Sequence, residues 1–300
     1  MWPFPTIVAH RGGGTLAPEN TLAAIRHGMA LGFRAIEFDT MLARDGVPVL
    51  LHDLQLGRTV RGEGGPLDFD SSALRRMDAG SWFGPAYAGE PVPLLAEVLV
   101  FCRDHGVWMN VEIKPIPGYE RETGRLVAGM VAAVYASELA VYEAALPAAN
   151  LTAAARAAAY GGAERRFHGG EVRALAMSPA PVDLAPLLAR LPVLSSFSHE
   201  ALDAAALAAP LLPRGFLMDR LTTDWRARTE DLGAMAVHTN HKHLTPDAAA
   251  EIKAAGYGLF CYTVNEPARA AEILGWGVDG FCTDRLDLIG PDFPAGADGR

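Results

Sequence analysis

The stretch TIVAHRGGGTLAPENTLAAIRHGMALGFRAIEFD, residues 6–39, contains the repeating unit that decides the fold. A short apolar run, Thr6–His10, is followed by a helical stretch, Asn20–Leu31, and then by a second apolar run, Arg34–Asp39. This order is typical of a β-strand, a crossover helix and a second strand around a parallel sheet. We therefore predict a βαβ unit at the start of the chain.

The same alternation of short apolar runs and helical stretches continues along the chain. Eight candidate strands in 300 residues are what a (β/α)8 barrel needs. An open, doubly wound sheet is the alternative, but the sequence has neither a Gly-rich dinucleotide fingerprint nor a P-loop to support it. We predict the α/β class and a (β/α)8 TIM barrel. The further predicted strands are Val107–Ile113, Val193–Phe197, Arg214–Met218, Met235–His238, Tyr257–Thr263 and Asp279–Thr283, and the further predicted helices include Leu94–His105, His199–Ala208, Thr245–Ala254 and Pro267–Trp276.

Two segments interrupt this rhythm. Residues 54–93 are rich in turn-forming and aromatic residues, which predicts a small insertion after the second strand. Residues 136–190 are Ala-rich with few large apolar side chains, which predicts an extra, loosely packed insert before the fourth strand. We predict one barrel domain over residues 1–290 and a disordered tail at residues 291–300.

The composition excludes several classes of partner. The chain has 26 basic and 35 acidic residues, a formal net charge of −9, and no basic patch, so we expect neither nucleic-acid binding nor stable membrane association. We find no signal peptide and no transmembrane run. Three well-separated cysteines suit a reducing compartment, and Cys261 and Cys282 lie in strand-like runs predicted to be core. We predict a cytoplasmic protein, and a homo-oligomer is compatible with the sequence.

Three acidic residues are candidate metal ligands. Glu37 and Asp39 are two apart on a predicted strand and therefore point to the same face, and Glu112 ends the neighbouring strand. Adjacent like charges are costly unless a cation neutralises them. An all-oxygen cluster suits Mg²⁺ or Ca²⁺. For any single acid, an ion pair with Arg or Lys is the alternative.

A predicted hairpin brings a histidine back toward these acids. Asp45-Gly46 is a strong two-residue turn signal between apolar strands. Folding symmetrically about that turn pairs Asp39 with His52. A turn one residue longer would shift this register.

Two histidines and two basic residues complete the candidate catalytic set. His10 follows the first strand, and with His52 it provides one group to take a proton and one to give it. Arg11 and Lys114 offer positive charge for a phosphodiester. Either one could instead pair with a nearby carboxylate.

Four further residues are supporting candidates. Glu19 is placed to orient His10 or Arg11. Asn20 is interpreted either as the N-cap of the first helix or as a contact to substrate or metal. Asp53 points away from His52 on a strand unless a turn returns it. His238, at the end of the sixth strand, is a candidate ligand contact.

Together these residues form a signature. The chain resembles the glycerophosphodiester phosphodiesterase family over residues 6–135 and 193–290. The motifs that carry the resemblance are long and ordered, so the signal is specific. They are HRGGGTLAPENT (10–21), EFDTMLARDGVPVLLHD (37–53), MNVEIKP (109–115) and YTVNEPARAAEILGWGVDGFCTD (262–284).

The resemblance implies hydrolysis of a glycerophosphodiester to an alcohol and sn-glycerol 3-phosphate by a barrel with an insertion after its second strand. The substrate's own 2-hydroxyl can attack phosphorus to give a cyclic phosphate, a step that is then effectively intramolecular. The roles implied are a divalent metal on Glu37, Asp39 and Glu112, acid–base catalysis by His10 and His52, and phosphate binding by Arg11 and Lys114.

Two other functions stay open at this point. A lysophospholipase D-like or cyclising phosphodiesterase would need an extended apolar groove, and a non-catalytic ligand-binding barrel would lack a metal acid or a histidine. The insert at residues 136–190 is the departure from the family pattern. An insert on the helix-to-strand side lies at the bottom of a barrel and would spare the mouth.

Overall fold

Eight parallel strands close into a barrel in this computed structural model, which describes residues 2–146 and 183–293. The first strand pairs with both the second and the last, and this double pairing closes the sheet. The strands are β1 Ile7–Ala9, β2 Ala35–Leu42, β3 Pro48–Leu50, β4 Trp108–Ile113, β5 Val193–Ser196, β6 Arg214–Met218, β7 Ala236–Asn240, β8 Gly258–Tyr262 and β9 Gly280–Thr283. β3 is antiparallel to β2 and lies outside the ring.

Helices connect the barrel strands and cover the outside of the ring. Side chains such as Phe38, Val111 and Phe281 point outward from the strands into the main apolar core. Within the described residues, the α-helices are Leu22–Ala30, Ser71–Leu74, Leu95–Asp104, Glu120–Val134, Ala136–Ala145, Ala185–Leu188, His199–Ala208, Trp225–Asp231, Pro246–Ala254 and Pro267–Gly275. The predicted (β/α)8 barrel is confirmed, and all eight predicted barrel strands are present.

The hairpin register differs from the prediction by one residue. Leu42 pairs with Pro48, so Arg44, Asp45 and Gly46 form a three-residue turn, and Gly46 takes the left-handed φ of 75°. The prediction that Asp39 lies opposite His52 is therefore wrong. The physical reason is that Asp-Gly also suits the longer turn, in which a type I turn is followed by a left-handed glycine.

Apolar side chains fill the barrel interior at the amino-terminal ends of the strands. Phe4, before β1, is 5 % exposed and stacks near the Trp108 ring at 5.1 Å between centroids. Trp2 packs against Phe4 and Phe260 and also lies edge-on to His238. This plug closes the amino-terminal end of the barrel and leaves the carboxyl-terminal end as the open mouth.

The segment between β3 and the helix Leu95–Asp104 corresponds to the predicted insertion at residues 54–93. It consists of bends and short helical turns, and it buries its own small apolar cluster against the β2–β3 hairpin. The insertion residues buried most deeply in this cluster are Val60, Leu74 and Val92. The insertion therefore has a separate packing unit beside the mouth.

The predicted insert at residues 136–190 lies largely outside the described residues, as does most of the predicted tail at residues 291–300. Its described parts are the helices Ala136–Ala145 and Ala185–Leu188, the second of which leads directly into β5. The domain limits stay predictions. All three cysteines are buried free thiols, as predicted for Cys261 and Cys282.

No single helix in the described ranges has the length and apolar character needed to cross a membrane. The consecutive helices Glu120–Val134 and Ala136–Ala145 pass that test as a pair, but the chain bends by 84° between them.

Candidate active site

Three carboxylates converge at the mouth of the barrel, where β2 and β4 lie side by side. Glu37 and Asp39 point to the same side of β2, and the strand register places Asp39 beside Glu112 of β4. One oxygen from each group lies within 4.8 Å of the other two. Both acids on β2 are almost fully buried, at 3 % and 2 % exposed. These groups are the three predicted metal ligands, and the fold brings them together.

Crowding of the three carboxylates perturbs their ionisation. Burial and repulsion from Asp39 raise the pKa of Glu37 to about 7 and that of Glu112 to about 8. Burial also opposes the charge of Asp39, but Arg11 and Lys114 outweigh it, and the pKa of Asp39 lies below its ordinary value. Glu37 and Glu112 are therefore less readily ionised than exposed glutamates, whereas Asp39 is more readily ionised than an exposed aspartate.

Two cations lie against the cluster. Arg11 Nε is 3.3 Å from Asp39 Oδ2, and Lys114 Nζ is 3.4 Å from Asp39 Oδ1 and 3.6 Å from Glu112 Oε1. Arg11 also takes the left-handed φ of 49°, which directs its backbone N–H to Glu37 Oε2 at 3.1 Å. The structure thus shows Arg11 and Lys114 paired with carboxylates, which was the alternative interpretation. Phosphate binding by these two residues stays a proposal.

His10 is held by a carboxylate from the other end of the chain. Its Nδ1 donates to Asp284 Oδ1 at 2.5 Å, and its Nε2 is 3.7 Å from Glu37 Oε2. Asn265 Nδ2 donates to Asp284 Oδ2 at 2.9 Å. Burial works against protonation of His10, but Glu37 and Asp284 outweigh it and raise the pKa of His10. The ring is thereby fixed with Nε2 facing the cluster.

His52 reaches the same mouth despite the shifted hairpin register. It follows β3 and lies close enough to Asp39 to help lower the pKa of that carboxyl. Its Nδ1 donates to Asp53 Oδ1 at 2.7 Å. Both histidines therefore bond an acid through Nδ1, which leaves Nε2 available to a substrate.

The supporting candidates Glu19 and Asn20 contact different members of the site. Glu19 Oε1 accepts a hydrogen bond from Arg11 Nη1 at 2.7 Å, so it contacts Arg11 rather than His10. Asn20 exchanges two hydrogen bonds with Asp39, at 2.9 and 3.1 Å. The helix N-cap is Thr21, whose side-chain hydroxyl accepts a hydrogen bond from the backbone N–H of Ala24 at 3.0 Å.

His238 is not at the mouth, contrary to the prediction. The strand β7 continues to Asn240, two residues beyond the predicted end, so His238 lies deeper in the barrel and is fully buried. Its ring centroid is 4.8 Å from that of Phe260, and neither nitrogen has a hydrogen-bond partner among the described residues. Burial lowers the pKa of His238 to about 3.

Sequence reasoning missed Asp284 and Asn265. Asp284 directly follows the last barrel strand, so the rule that places functional groups at strand ends identifies it as readily as His10. Asn265 lies in the loop after β8 and within the motif of residues 262–284, but that motif alone does not indicate which contact Asn265 makes. Its position becomes evident only from its contact with Asp284.

These features define the class: a (β/α)8-barrel enzyme whose mouth combines a carboxylate cluster, two oriented imidazoles and two cations. The sequence matches the glycerophosphoryl diester phosphodiesterase family over residues 10–153 and 167–288, which is most of the chain. The chain therefore belongs to this family, and it is a phosphodiesterase.

Individual relatives agree with this assignment. A glycerophosphodiester phosphodiesterase from Caldanaerobacter subterraneus is 28 % identical over 288 residues, covering 94 % of this chain and 95 % of the relative. One from Bacillus subtilis is 26 % identical over 294 residues, covering 94 % and 84 %. A solved Oleispira antarctica phosphodiesterase in complex with the product sn-glycerol 3-phosphate is 28 % identical, with a TM-score of 0.71 and coverage of 97 % and 94 %.

Proposed function

We propose that this protein hydrolyses glycerophosphodiesters to an alcohol and sn-glycerol 3-phosphate, with a divalent cation and two histidines. The observation that carries the proposal is the convergence of the carboxylate cluster with His10 and His52 at one mouth. The Oleispira relative binds sn-glycerol 3-phosphate as its product, and we carry that ligand over to this chain.

The acid cluster fits a hard divalent cation. Its donors are all carboxylate oxygens, and Glu37 Oε1 is buried without a hydrogen-bond partner among the described residues. Glu37, Asp39 and Glu112 would hold the ion. Mg²⁺ and Ca²⁺ both accept such a donor set, and Mg²⁺ demands the stricter geometry. Once bound, the ion supplies positive charge toward the phosphate oxygens.

The two imidazoles divide the proton transfers. One Nε2 accepts the proton of the attacking oxygen, and the other donates a proton to the departing alkoxide. Asp284 holds the tautomer of His10, and Asp53 does the same for His52. Both rings therefore stay fixed while the proton moves. The attacking oxygen is the substrate's own 2-hydroxyl, which gives a cyclic phosphate that water then opens.

The two cations orient the phosphodiester. Arg11 offers a planar fork for two phosphate oxygens, and Lys114 offers a point charge. Both lie against Asp39, so they would face a phosphate held by the cation that the cluster would bind. Their positive charge stabilises the negative charge that builds up in the transition state.

The test is release of sn-glycerol 3-phosphate from glycerophosphocholine by the purified protein. We expect chelator to abolish turnover, Mg²⁺ or Ca²⁺ to restore it, and His10→Ala or His52→Ala to lower kcat by about 10²- to 10⁴-fold. The exposed His105 provides a matched control, since His105→Ala should keep full activity. Phosphorus NMR should detect a transient cyclic phosphate. Turnover that persists in chelator contradicts the proposal.

A further inference from the structure

One arginine in the insertion bridges the two sides of the candidate site. Arg58 Nε donates to Asp53 Oδ2 at 2.6 Å. Its two terminal nitrogens donate to the two carboxylate oxygens of Glu19, at 2.8 and 2.7 Å. A guanidinium can donate to two carboxylates at once, because its N–H groups lie in one rigid plane and point in fixed directions.

Each of these carboxylates also holds a group of the proposed machinery. Asp53 bonds His52 at 2.7 Å, and Glu19 bonds Arg11 at 2.7 Å. Five charged or ionisable side chains therefore alternate from Arg11 through Glu19, Arg58 and Asp53 to His52. Burial works to raise the pKa of Asp53, but the bonds from Arg58 and His52 lower it to about 2, so this carboxylate stays ionised.

The loop that carries Arg58 is itself fixed. The backbone N–H of Leu56 donates to the carbonyl of Gly64 at 2.8 Å, and that of Gly57 donates to Val60 at 2.7 Å. Val60 is 1 % exposed and anchors the loop in the small cluster of the insertion. The backbone that carries the Arg58 guanidinium is therefore held in place by hydrogen bonds and by the burial of Val60.

We propose that Arg58 is a positioning residue that aligns His52 and Arg11 with each other through Asp53 and Glu19. This inference rests on the proposed function. Arg58 is half-exposed, and an exposed ion pair contributes little to stability. Its contribution is instead to catalysis, where small errors in the placement of an acid or base are costly.

The test compares Arg58→Met and Arg58→Lys with the wild type in the glycerophosphocholine assay. For Arg58→Met we expect kcat/KM to fall by about 10- to 100-fold, through a lower kcat from His52 and a higher KM from Arg11. Arg58→Lys should be intermediate, since a point charge serves one carboxylate. Low millimolar guanidinium should restore part of the activity of Arg58→Met, which a merely structural role would not allow.

Arg61 supplies the matched control, as an exposed arginine in the same loop. Arg61→Met should keep wild-type kinetics and show no response to guanidinium. Full activity of either Arg58 variant overturns the inference, and if Arg58→Met fails to fold, Arg58→Lys alone decides it. A wild-type protein that releases no glycerol 3-phosphate refutes the proposed function instead, so the two failures are distinguishable.

Discussion

A single carboxylate decides which nitrogen of His10 faces the acid cluster. Asp284 accepts from Nδ1 and is itself fixed by Asn265, through the side chain and through the Asp284 backbone N–H. The neutral ring can then only present an unprotonated Nε2, and the charged ring is stabilised by the nearby carboxylate. The chemistry of the imidazole is therefore set by a residue outside the acid cluster.

Asp284→Asn should separate orientation from binding. An amide can donate to Nδ1 and so favours the wrong tautomer, and we expect kcat to fall by about 10²- to 10⁴-fold. KM should change little, because Asp284 does not belong to the acid cluster or to the proposed phosphate contacts. Steady-state kinetics on glycerophosphocholine check this. An unchanged kcat would mean that Asp284 does not control the tautomer of His10.

The buried His238 makes stability depend on pH. In the folded protein it stays neutral down to a pKa of about 3, whereas in the unfolded chain it binds a proton near pH 6.5. The unfolded state therefore gains protons first, and the contribution of this group to the free energy of unfolding is lost as pH falls from about 6.5 to 3. We expect a loss of about 1 kcal/mol between pH 6 and pH 5 from this group.

Denaturant unfolding at several pH values measures that loss by difference. The slope of unfolding free energy against pH should be shallower in His238→Phe than in the wild type, and unchanged in His105→Gln, which alters an exposed histidine. Equal slopes in the wild type and His238→Phe would show that His238 binds a proton as readily in the folded protein as in the unfolded chain.

The candidate site residues at strand ends were predictable, because each strand and its end can be recognised from the local sequence alone. His10, Glu37, Asp39 and Glu112 each lie in or just after a recognisable apolar run, and parallel strands meet at one edge. Asp284 is itself a strand-end residue, but its pairing with His10 was not predicted, because the two residues lie 274 positions apart and meet only when the ring closes. The depth of His238 depended on where β7 ends, and a two-residue error moves a side chain from mouth to interior.

At the scale of elements, β6 and β7 show how a missing side chain makes room for a ring. Gly215 faces the barrel interior, and a Cβ placed there would lie 2.2 Å from His238 Nε2. The two strands pair in register, with Gly215 opposite Ala236. The ring of His238 therefore occupies the volume that a side chain on the neighbouring strand would need.

Gly215→Ala should destabilise the protein by about 1–3 kcal/mol, because the ring must move within a packed interior. Combined with His238→Ala, its cost should be smaller by about 1 kcal/mol than when alone, as the ring that clashes is gone. Gly129→Ala is the matched control, on an exposed helix position with open space, and it should be neutral or stabilising. Denaturant unfolding of the four variants measures the coupling, and strict additivity would contradict it.

The β2–β3 hairpin shows the limit of turn prediction. Asp45-Gly46 correctly indicates a turn, but a two-residue and a three-residue loop share this dipeptide. Additional contacts select the longer loop, since Asp45 accepts hydrogen bonds from the backbone and hydroxyl of Ser71 in the insertion. His52 nevertheless reaches the mouth, because it lies beyond the end of β3 and is held by Asp53.

At the scale of the whole molecule, the two ends of the barrel have separate tasks. The plug of Trp2, Phe4 and Trp108 fills the amino-terminal end, while the ionisable groups gather at the opposite end. The aromatic packing and the candidate site thus occupy different layers of the same interior. A substitution in the aromatic plug should therefore change the free energy of unfolding and leave the geometry of the mouth largely unchanged.

Phe4→Ala tests this separation. Removal of a buried phenyl ring should lower the free energy of unfolding by about 3–5 kcal/mol. Well below its transition temperature, however, each folded molecule should turn over at the wild-type rate. Thermal unfolding together with active-site-normalised kinetics provides the measurement, and a parallel loss of kcat would show that the layers are coupled.

Closure of the ring between β1 and β9 has a consequence for biosynthesis. The ribosome makes His10 274 residues before Asp284, the partner that orients its ring. A nascent chain therefore carries the three acids and both imidazoles before that partner exists. The proposed site can be completed only after β9 has left the exit tunnel and paired with β1.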